Sequence, residues 1–328
     1  MSNLWQTPPF GASTILQPQA PPLIATNSVG PWHFVRRRFR ALHTNLQLTQ
    51  DQIEDGQTKY RGVVSALNRT YWDVSSESAH LELVGSWSKG TRVRPPRDVD
   101  FIFELPVAVY HRFEQRTGNK QSQLLQEVRD VLSATYPQTA IRGDGQVVVI
   151  PFNTYGIEVA PGFPANGGGY VICDTNDGGR YKWVHPAAEL ADFNAADIRF
   201  NGNVSKLSQM LKQWQRHCNV PIKSFQVEAL VKDTLARPTY GASDEFWFDW
   251  LVRDALEHII SCANGHFFMP VTGENILLGD EWLSKAESAY SRARKACDFE
   301  FNNNDQEAGD EWQKIFGTMI PQTVSWSP

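Results

Sequence analysis

The chain has 328 residues, of which 41% are hydrophobic and 20% are charged, and its formal net charge is −5. These values are ordinary for a soluble globular enzyme, and the length suffices for two domains or lobes with a sizeable core. The acidic balance excludes an overall basic field, which argues mildly against activation by long double-stranded nucleic acid. Direct nucleic-acid binding through a local basic patch stays an open alternative.

Cysteine usage and hydropathy predict the cellular compartment. The chain has four cysteines, at positions 173, 218, 262 and 297, and none belongs to a Cys-x-x-Cys pair or to a spacing typical of zinc sites. They are interpreted as reduced thiols. The sequence has no run of about 18 apolar residues and no basic-then-apolar signal pattern at its N-terminus. We therefore expect a cytoplasmic protein that does not contact a membrane.

The N-terminal part of the chain predicts a leader followed by helices. Residues 1–31 combine six prolines with Ser, Gln and Asn, a composition typical of an extended or disordered segment. A basic cluster occupies residues 36–40 (Arg-Arg-Arg-Phe-Arg). A solvated helix face, or the first turn of a long helix, is favoured for it over contact with RNA or with an acidic partner. The pattern from Thr49 to Trp72 predicts a long helix, with Thr49 and Gln52 as a capping box.

Four segments rich in β-branched and aromatic residues then predict the strands of one sheet. They span residues 81–85, 99–105, 147–152 and 156–160, and a helix is predicted at 119–136. Two glycine-rich turns flank a short predicted hairpin at residues 170–184.

The remainder of the chain, from residue 187 onward, has a helical pattern. Helices are predicted at 204–217, where the apolar residues recur with helical period, and at 225–235. A strongly apolar helix is predicted at 247–259 and is expected to lie in the core. The last 27 residues are expected to be peripheral.

The residues that suggest chemistry lie in the segment 85–91, Gly-Ser-Trp-Ser-Lys-Gly-Thr, which is followed after six residues by Asp98-Val99-Asp100. Residues i and i+2 of a strand point to the same face, so Asp98 and Asp100 project together while Val99 turns into the core. Two carboxylates on one face repel each other unless a cation lies between them. Oxygen ligands of this kind suit Mg²⁺ or Mn²⁺ held together with phosphates. The Gly85-Ser86 turn supplies N–H and hydroxyl donors for such a phosphate.

This pattern resembles the signature of the DNA polymerase β-type nucleotidyltransferases, and more narrowly that of the bacterial CD-NTases, relatives of the animal cGAS and oligoadenylate synthetase enzymes. The resemblance extends over most of the chain. It implies an α+β fold in which a mixed sheet with a long spine helix forms the nucleotidyltransferase core, over residues 32–186. A C-terminal helical lobe over residues 187–328 completes the implied structure, and the active site lies in the cleft between the two lobes.

In that superfamily a third carboxylate, on a nearby strand, completes a two-metal site. Glu158 has the matching place, because it is followed by an apolar residue, a small residue and a proline. The usual residue there is Asp, so Glu is a departure that keeps the charge and reaches one methylene further. The resemblance implies that Asp98, Asp100 and Glu158 hold two Mg²⁺ ions, with Mn²⁺ as an alternative.

The resemblance also implies a nucleotide-binding set of residues. In the family a lysine on one helix and a serine at the start of the next hold the triphosphate, and Lys212 and Ser224 have those places. Gly85, Ser86 and Lys89 belong to the same set. Two alternatives stay open at this point: Lys212 is a solvated surface lysine, and Ser224 is only the N-cap of the following helix.

The implied function is the joining of nucleoside triphosphates, ATP among them, into cyclic di- or trinucleotide second messengers for antiphage (CBASS) signalling. The implied partners are a downstream effector protein that binds the product and, in some members, a HORMA-type regulatory protein. One alternative is a nucleotidyltransferase that acts on an RNA end, a protein or a small molecule. Another is a pseudoenzyme, against which the retention of all three carboxylates speaks.

Overall fold

A mixed β-sheet forms from the apolar segments of the first half of the chain, in a computed structural model that describes residues 30–324. Its strands are β1 (Leu81–Leu83), β2 (Asp98–Glu104), β3 (Arg142–Asp144), β4 (Val147–Pro151), β5 (Gly156–Pro164), β6 (Tyr170–Asp174) and β7 (Arg180–Val184). The strand order is β1-β2-β5-β4-β3, with β6 joined to β5 and β7 joined to β6. The pair β2–β5 is parallel and the other pairs are antiparallel.

The predicted strands and the predicted hairpin are all confirmed, with small shifts at their ends. The largest shift is in β5, which was expected to end at residue 160. It continues to Pro164 because its second half pairs with β6 after its first half has paired with β4.

α-Helices form most of the remaining part of residues 30–324. They are α1 (Val35–Leu46), α2 (Gln50–Tyr71), α3 (Gly85–Lys89), α4 (Val107–Glu114), α5 (Lys120–Thr135), α6 (Pro186–Arg199), α7 (Asn203–His217), α8 (Ser224–Leu235), α9 (Phe248–Ser261), α10 (Leu283–Phe301) and α11 (Asp305–Phe316). A short hairpin, β8 (His266–Phe268) and β9 (Asn275–Leu277), lies between α9 and α10. The five predicted helices correspond to α2, α5, α7, α8 and α9, whereas α4 was not predicted.

The long helix α2 begins at the predicted capping box. The Thr49 side chain accepts a hydrogen bond from the Gln52 backbone N–H at 3.2 Å, and the Gln52 side chain accepts one from the Thr49 N–H at 3.0 Å. These reciprocal bonds satisfy two donors that the first turn of a helix otherwise leaves unpaired. The prediction of this helix start is confirmed.

One hydrophobic core lies between the sheet and the helices α2 and α5. Because side chains alternate along a strand, Val99, Phe101 and Phe103 of β2 all enter this core, and each is at most 1% exposed. They pack with Val63 and Leu67, which are fully buried residues of α2. The helix α2 is therefore the spine behind the sheet, and the opposite face of β2 is left for the side chains of Asp98 and Asp100.

A second core is built mainly from the helices α1 and α6 to α11. Its largest buried side chains include Phe39 of α1, Trp214 of α7, Phe248 of α9 and Trp312 of α11. The expectation that the last residues of the chain are peripheral is wrong, because Trp312 and Phe316 are fully buried in this core.

At the N-terminal end, the structure differs from the predicted domain organisation. The leader predicted over residues 1–31 lies, apart from its last two residues, outside the described part of the chain. Helix α1 was assigned to the segment 32–186 together with the sheet, but its buried residues pack in the helical core. The boundary between residues 186 and 187 stays a prediction.

Arg38 in the basic cluster at residues 36–40 is fully buried, which the expectation of a solvated helix face did not foresee. Its guanidinium donates to Glu300 Oε1 at 2.6 Å, to Asp305 Oδ1 at 2.6 Å and to three backbone carbonyls, those of Asp305, Pro321 and Gln322. These five bonds use all five donors of an arginine side chain. Arg38 therefore ties α1 to both C-terminal helices and to the segment after them.

Two further findings concern the expected compartment. Within residues 30–324, no helix combines the length and the apolar character that a membrane crossing requires. The four cysteines all lie in that range, and all are free thiols.

We predict that Arg38→Met lowers the free energy of unfolding by about 3–5 kcal/mol, because it leaves the buried carboxylate of Glu300 without its cation. Arg36→Met is the matched control. It removes an ion pair with Asp244 in which both side chains are about half exposed, and such pairs contribute about 0–1 kcal/mol. Urea unfolding of both variants measures the difference. Equal effects would show that the Arg38 network does not stabilise the fold.

Candidate active site

The register of the parallel pair β2–β5 places the candidate carboxylates. Asp98 lies opposite Gly156 and Asp100 lies opposite Glu158. Val99, between the two aspartates, is fully buried on the other face of the sheet. Asp98 and Asp100 both line one cleft. The hairpin between β4 and β5 thus delivers Glu158 beside Asp100, as the sequence predicted.

Two glycines make room for these carboxylates. A Cβ added at Gly156 would lie 2.8 Å from Asp98 Oδ1, and one added at Gly85 would lie 2.9 Å from Asp100 Oδ2. Gly85 also has a positive φ of 59°, which a residue with a side chain adopts only with strain. The glycine of the Gly-Ser pair is therefore required by the backbone and by the neighbouring carboxylate together.

Burial raises the pKa values of all three carboxylates, and neighbouring like charges add to this for Asp100 and Glu158. Burial raises the pKa of Asp100 to about 7, and the like charges of Glu158 and Asp98 add to the effect, against the positive charge of Lys212. Burial, and then the charge of Asp98, raises the pKa of Glu158. Burial also raises the pKa of Asp98, opposed by the positive charge of nearby arginines. The site therefore brings carboxylates of like sign together in a place that is partly withdrawn from water.

The donor set fits a divalent cation by its chemistry. Three carboxylates supply only oxygen ligands, which Mg²⁺ and Mn²⁺ prefer. A divalent cation would also relieve the electrostatic repulsion among these carboxylates. As the side chains stand, no group of three or more His, Cys, Asp and Glu residues within 30–324 is gathered closely enough to hold a metal ion. The fit thus rests on ligand type, charge and strand register.

The cleft beside these carboxylates has a volume of about 550 Å³, within the range of roughly 300–1,000 Å³ that is typical of small-molecule sites. Gly85, Ser86 and Lys89 line it. The expected Gly-Ser turn is instead the first turn of the short helix α3, which follows β1 and ends at the left-handed Gly90. The segment still presents these three residues to the cleft.

Lys212 also lines the cleft, but it is not a solvated lysine. Only 9% of the residue is exposed. Its ammonium donates to Glu228 Oε1 at 2.5 Å and to Thr91 Oγ1 and O at 2.7 and 3.3 Å. Burial lowers the pKa of Lys212, and the charge of Glu228 is the largest opposing influence.

Ser224 lines the cleft as well, at the start of α8. It is the first residue of the helix and not its N-cap, which is Lys223. The alternative that Ser224 serves as a helix cap is therefore wrong. Its hydroxyl donates to Gln215 Oε1 at 3.1 Å.

Sequence reasoning missed Glu228, which is 4% exposed and contacts both candidate lysines. Its Oε1 accepts from Lys212 and from the Thr91 hydroxyl at 2.7 Å, and its Oε2 accepts from Lys89 at 3.0 Å. Despite burial, these lysines lower the pKa of Glu228 to about 2. One signal was available: Glu228 follows the apolar Val227 on the buried side of α8, and a carboxylate on a buried stripe requires a partner.

Part of the chain matches a known protein family, and most of it is similar to a known protein. Residues 34–196, about half of the chain, match the Second Messenger Oligonucleotide or Dinucleotide Synthetase domain. A probable cyclic nucleotide synthase of Bacillus cereus (strain VD146) is 22% identical over 274 residues, which cover 72% of this chain and 81% of the relative.

Among solved structures, CdnC of E. coli MS115-1 is similar in its complex with HORMA-deltaN (TM-score 0.63, 16% identity, 88% of this chain and 98% of that chain). The same protein with ATP is equally similar (TM-score 0.63, 15% identity, 87% and 98%). Vibrio cholerae DncV cyclic AMP-GMP synthase in complex with nonhydrolyzable GTP has a TM-score of 0.61 at 16% identity, covering 90% of each chain. At these identities the structural likeness establishes the fold.

We predict that the metal-free protein becomes less stable as the pH rises from about 4 to about 7. The pKa of Asp100 is higher in the folded chain, about 7 against the ordinary 3.8, so the folded state binds the extra proton and loses that advantage as the proton leaves. Urea unfolding in EDTA across this pH range measures the effect.

Asp100→Asn should flatten this pH dependence, and Mg²⁺ added at pH 8 should stabilise the wild type more than the variant. Asp298→Asn, an exposed position on α10, is the control and should behave as the wild type. A pH dependence that is unchanged in Asp100→Asn would mean that Asp100 is not the group responsible.

Proposed function

The chain belongs to the bacterial CD-NTase family of nucleotidyltransferases, and from this premise we propose that it joins nucleoside triphosphates into a cyclic oligonucleotide with release of pyrophosphate. The observation that carries the proposal is the register of β2 and β5, which puts Glu158 opposite Asp100. Asp98 and Asp100 line a cleft that Gly85 and Ser86 also line. Carboxylates for cations and donors for phosphates thus share one cavity.

Asp98, Asp100 and Glu158 are the proposed ligands of two Mg²⁺ ions, with Mn²⁺ as the alternative. When bound, such ions lower the pKa of an attacking ribose hydroxyl and neutralise the charge of the departing pyrophosphate. The chain itself contributes positioning. The spine helix and the strand register hold the carboxylates on one face of a buried sheet, where reorganisation during the reaction is small. Glu158 keeps the charge of the usual Asp and reaches one methylene further.

The proposed triphosphate subsite comprises Gly85, Ser86, Lys89, Lys212 and Ser224, all of which line the cleft. The two lysines supply its positive charge. The hydroxyls of Ser86 and Ser224 are donors of the kind that phosphate oxygens accept. A triphosphate held by these residues extends toward Asp98 and Asp100, because the same cleft contains both groups.

Substrates and partners are proposed from the chemistry of the relatives. CdnC is solved with ATP, and DncV is a cyclic AMP-GMP synthase solved with a GTP analogue, so ATP is proposed among the substrates and a cyclic di- or trinucleotide as the product. Its proposed role is a second messenger in antiphage (CBASS) signalling, read by a downstream effector protein. The CdnC complex with HORMA-deltaN supports a HORMA-type regulatory partner as a further proposal.

We predict that Asp98→Asn with Asp100→Asn lowers product formation at least ~10²-fold, because removal of well-placed charged groups from a transition state has effects of this size. The protein is incubated with all four NTPs and Mg²⁺ or Mn²⁺, treated with phosphatase, and the surviving products are identified by mass spectrometry. Glu158→Gln should be nearly as severe. Asp130→Asn, an exposed substitution on α5, is the control.

Phosphatase-resistant cyclic products that disappear in the double variant would establish the synthase function. If instead the wild-type protein extends RNA ends or modifies a protein or small molecule, the acceptor class is wrong while the nucleotidyltransferase chemistry stands. Unchanged turnover in the double variant would contradict the assignment of the carboxylates.

A further inference from the structure

Three arginine side chains line the cleft without a carboxylate partner. They are Arg92, Arg97 and Arg216, and within residues 30–324 none of them forms an ion pair or a hydrogen bond with an Asp or Glu side chain. Arg92 instead lies over the indole of Trp87, 4.7 Å from the ring centroid. Guanidinium groups bind phosphate oxygens with two parallel hydrogen bonds. Arginines left without a carboxylate in one cavity therefore indicate a site for phosphate.

The loop that precedes β2 holds two of these arginines at the cleft. Arg216, in the last turn of α7, donates through one terminal nitrogen to the carbonyls of Pro95 at 2.6 Å and Val93 at 3.5 Å. An arginine has five N–H donors, so the remaining three are left for a ligand. The carbonyl of Arg97 accepts from the Gly156 N–H at 2.7 Å, which fixes Arg97 at the entrance of β2. Its side chain makes no hydrogen bond within the described residues.

The guanidinium groups of Arg97 and Arg216 are close enough to repel each other. Burial, and then the positive charge of Arg97, lowers the pKa of Arg216. Like charges that share one part of a cavity are stabilised by a bound anion, and a polyphosphate has enough oxygens to accept from both groups.

The lysines and the arginines lie beside different aspartates. Lys212 and Arg216 are four residues apart on α7, which places them about 6 Å apart on one face of the helix. Asp98 and Asp100 are two residues apart on β2, a similar spacing of about 6.6 Å. The charge of Lys212 opposes the rise in the pKa of Asp100. The charges of Arg97 and Arg216 instead oppose the rise for Asp98.

We propose that Arg97 and Arg216, with Arg92 beside them, form a second polyphosphate subsite, which holds the 5′-triphosphate of the acceptor nucleotide. Lys89, Lys212 and the other residues of the subsite already described hold the triphosphate of the donor. This inference rests on the proposed function, because a reaction that joins two nucleoside triphosphates must hold two triphosphates at once. The cleft of about 550 Å³ and the net charge of −5 favour a free nucleotide over an RNA strand.

Such a subsite makes the enzyme select acceptors by their 5′ end. In the transfer, a ribose hydroxyl of the acceptor forms a bond to the α-phosphorus of the donor and releases its proton to water, and the bond to the departing pyrophosphate breaks. A nucleoside without phosphates can form the same bond but has nothing for the arginines to bind. Loss of an arginine should therefore weaken the use of a triphosphate acceptor and leave the use of a nucleoside unchanged.

The first test is a competition between two kinds of acceptor in one tube. The full chain receives all four NTPs, Mg²⁺ and the four isotope-labelled nucleosides. Mass spectrometry without phosphatase treatment then measures the ratio of transfer onto NTPs to transfer onto nucleosides, which does not depend on how much of a variant is folded. We expect Arg97→Met and Arg216→Met each to lower this ratio about tenfold or more, the size typical of a lost charged hydrogen bond.

Arg94→Met is the matched control for these variants. It makes the same change of charge in the same loop, and Arg94 is not among the residues that line the cleft. The ratio should stay as in the wild type. Arg97→Met removes no side-chain hydrogen bond of the described chain, so it decides the question if Arg216→Met disturbs the loop. Thermal melting checks that each variant is folded.

The second test measures binding without turnover. Inorganic tripolyphosphate with Mg²⁺ contains no base, so it probes both subsites whatever nucleotides the enzyme uses. Titration calorimetry counts the molecules bound to each chain. We expect two for the wild type and for Arg94→Met, and one for the double variant of Arg97→Met with Arg216→Met. If the purified chain makes no product, this count decides alone.

The outcomes separate this inference from the proposed function. A wild type that makes no product and binds no tripolyphosphate would overturn both. One tripolyphosphate per wild-type chain, or an unchanged ratio in Arg97→Met and Arg216→Met, would overturn the inference alone. Equal losses with NTP and nucleoside acceptors would also overturn it, because the arginines would then serve the donor. Extension of an RNA oligonucleotide that only the arginine variants lose would assign these side chains to an RNA strand instead.

Discussion

The parallel pairing of β2 with β5 is the constraint on which the site depends. Parallel neighbours cannot be joined by a tight turn, so the chain between them makes a long excursion through α4, α5, β3 and β4 before it returns. The excursion covers one face of the sheet and sets the register that brings Glu158 opposite Asp100. Burial raises the pKa values of all three carboxylates, and the like charges that this pairing brings together add to the effect for Asp100 and Glu158. The electrostatic cost of placing these three carboxylates close together is the physical basis for proposing cations beside them.

Two buried ionic contacts join elements that are far apart in the chain, and they differ in which elements they join. Arg38 joins α1 to the C-terminal helices with all five of its donors, far from the cleft, and serves the fold. Glu228 joins α8 to Lys89 of α3, to Thr91 and to Lys212 of α7 inside the cleft. Buried charges are tolerated only when they are paired and hydrogen-bonded, so each contact fixes the relative position of the elements that carry its partners. The geometry of the cleft therefore depends on the ion pair of Lys89 with Glu228, whose two residues lie on different sides of the cleft.

Two glycines bound the Gly-Ser segment, which forms a short helix rather than an open turn. Gly85 starts α3 with a positive φ and leaves room for the Asp100 carboxylate, and Gly90 ends it in the left-handed region. Between them, one turn of helix is long enough to bring Lys89 within 3.0 Å of Glu228. The two glycines are thus the points at which the backbone bends so that carboxylates and lysines can occupy one cavity.

The sequence by itself determined the features that depend on local pattern: the strands, the spine helix with its capping box, the burial of Val99 between two aspartates, and the pairing of a Gly-Ser segment with Asp98 and Asp100. Each follows from periodicity or from spacing within a few residues. Only the tertiary structure decided what Lys212, Ser224, Glu228 and Arg38 contact, and that α1 and α11 join the helical core. Those contacts join residues far apart in the chain, such as Thr91 with Glu228, and whether a lysine is solvated or buried depends on which distant carboxylate the fold brings to it.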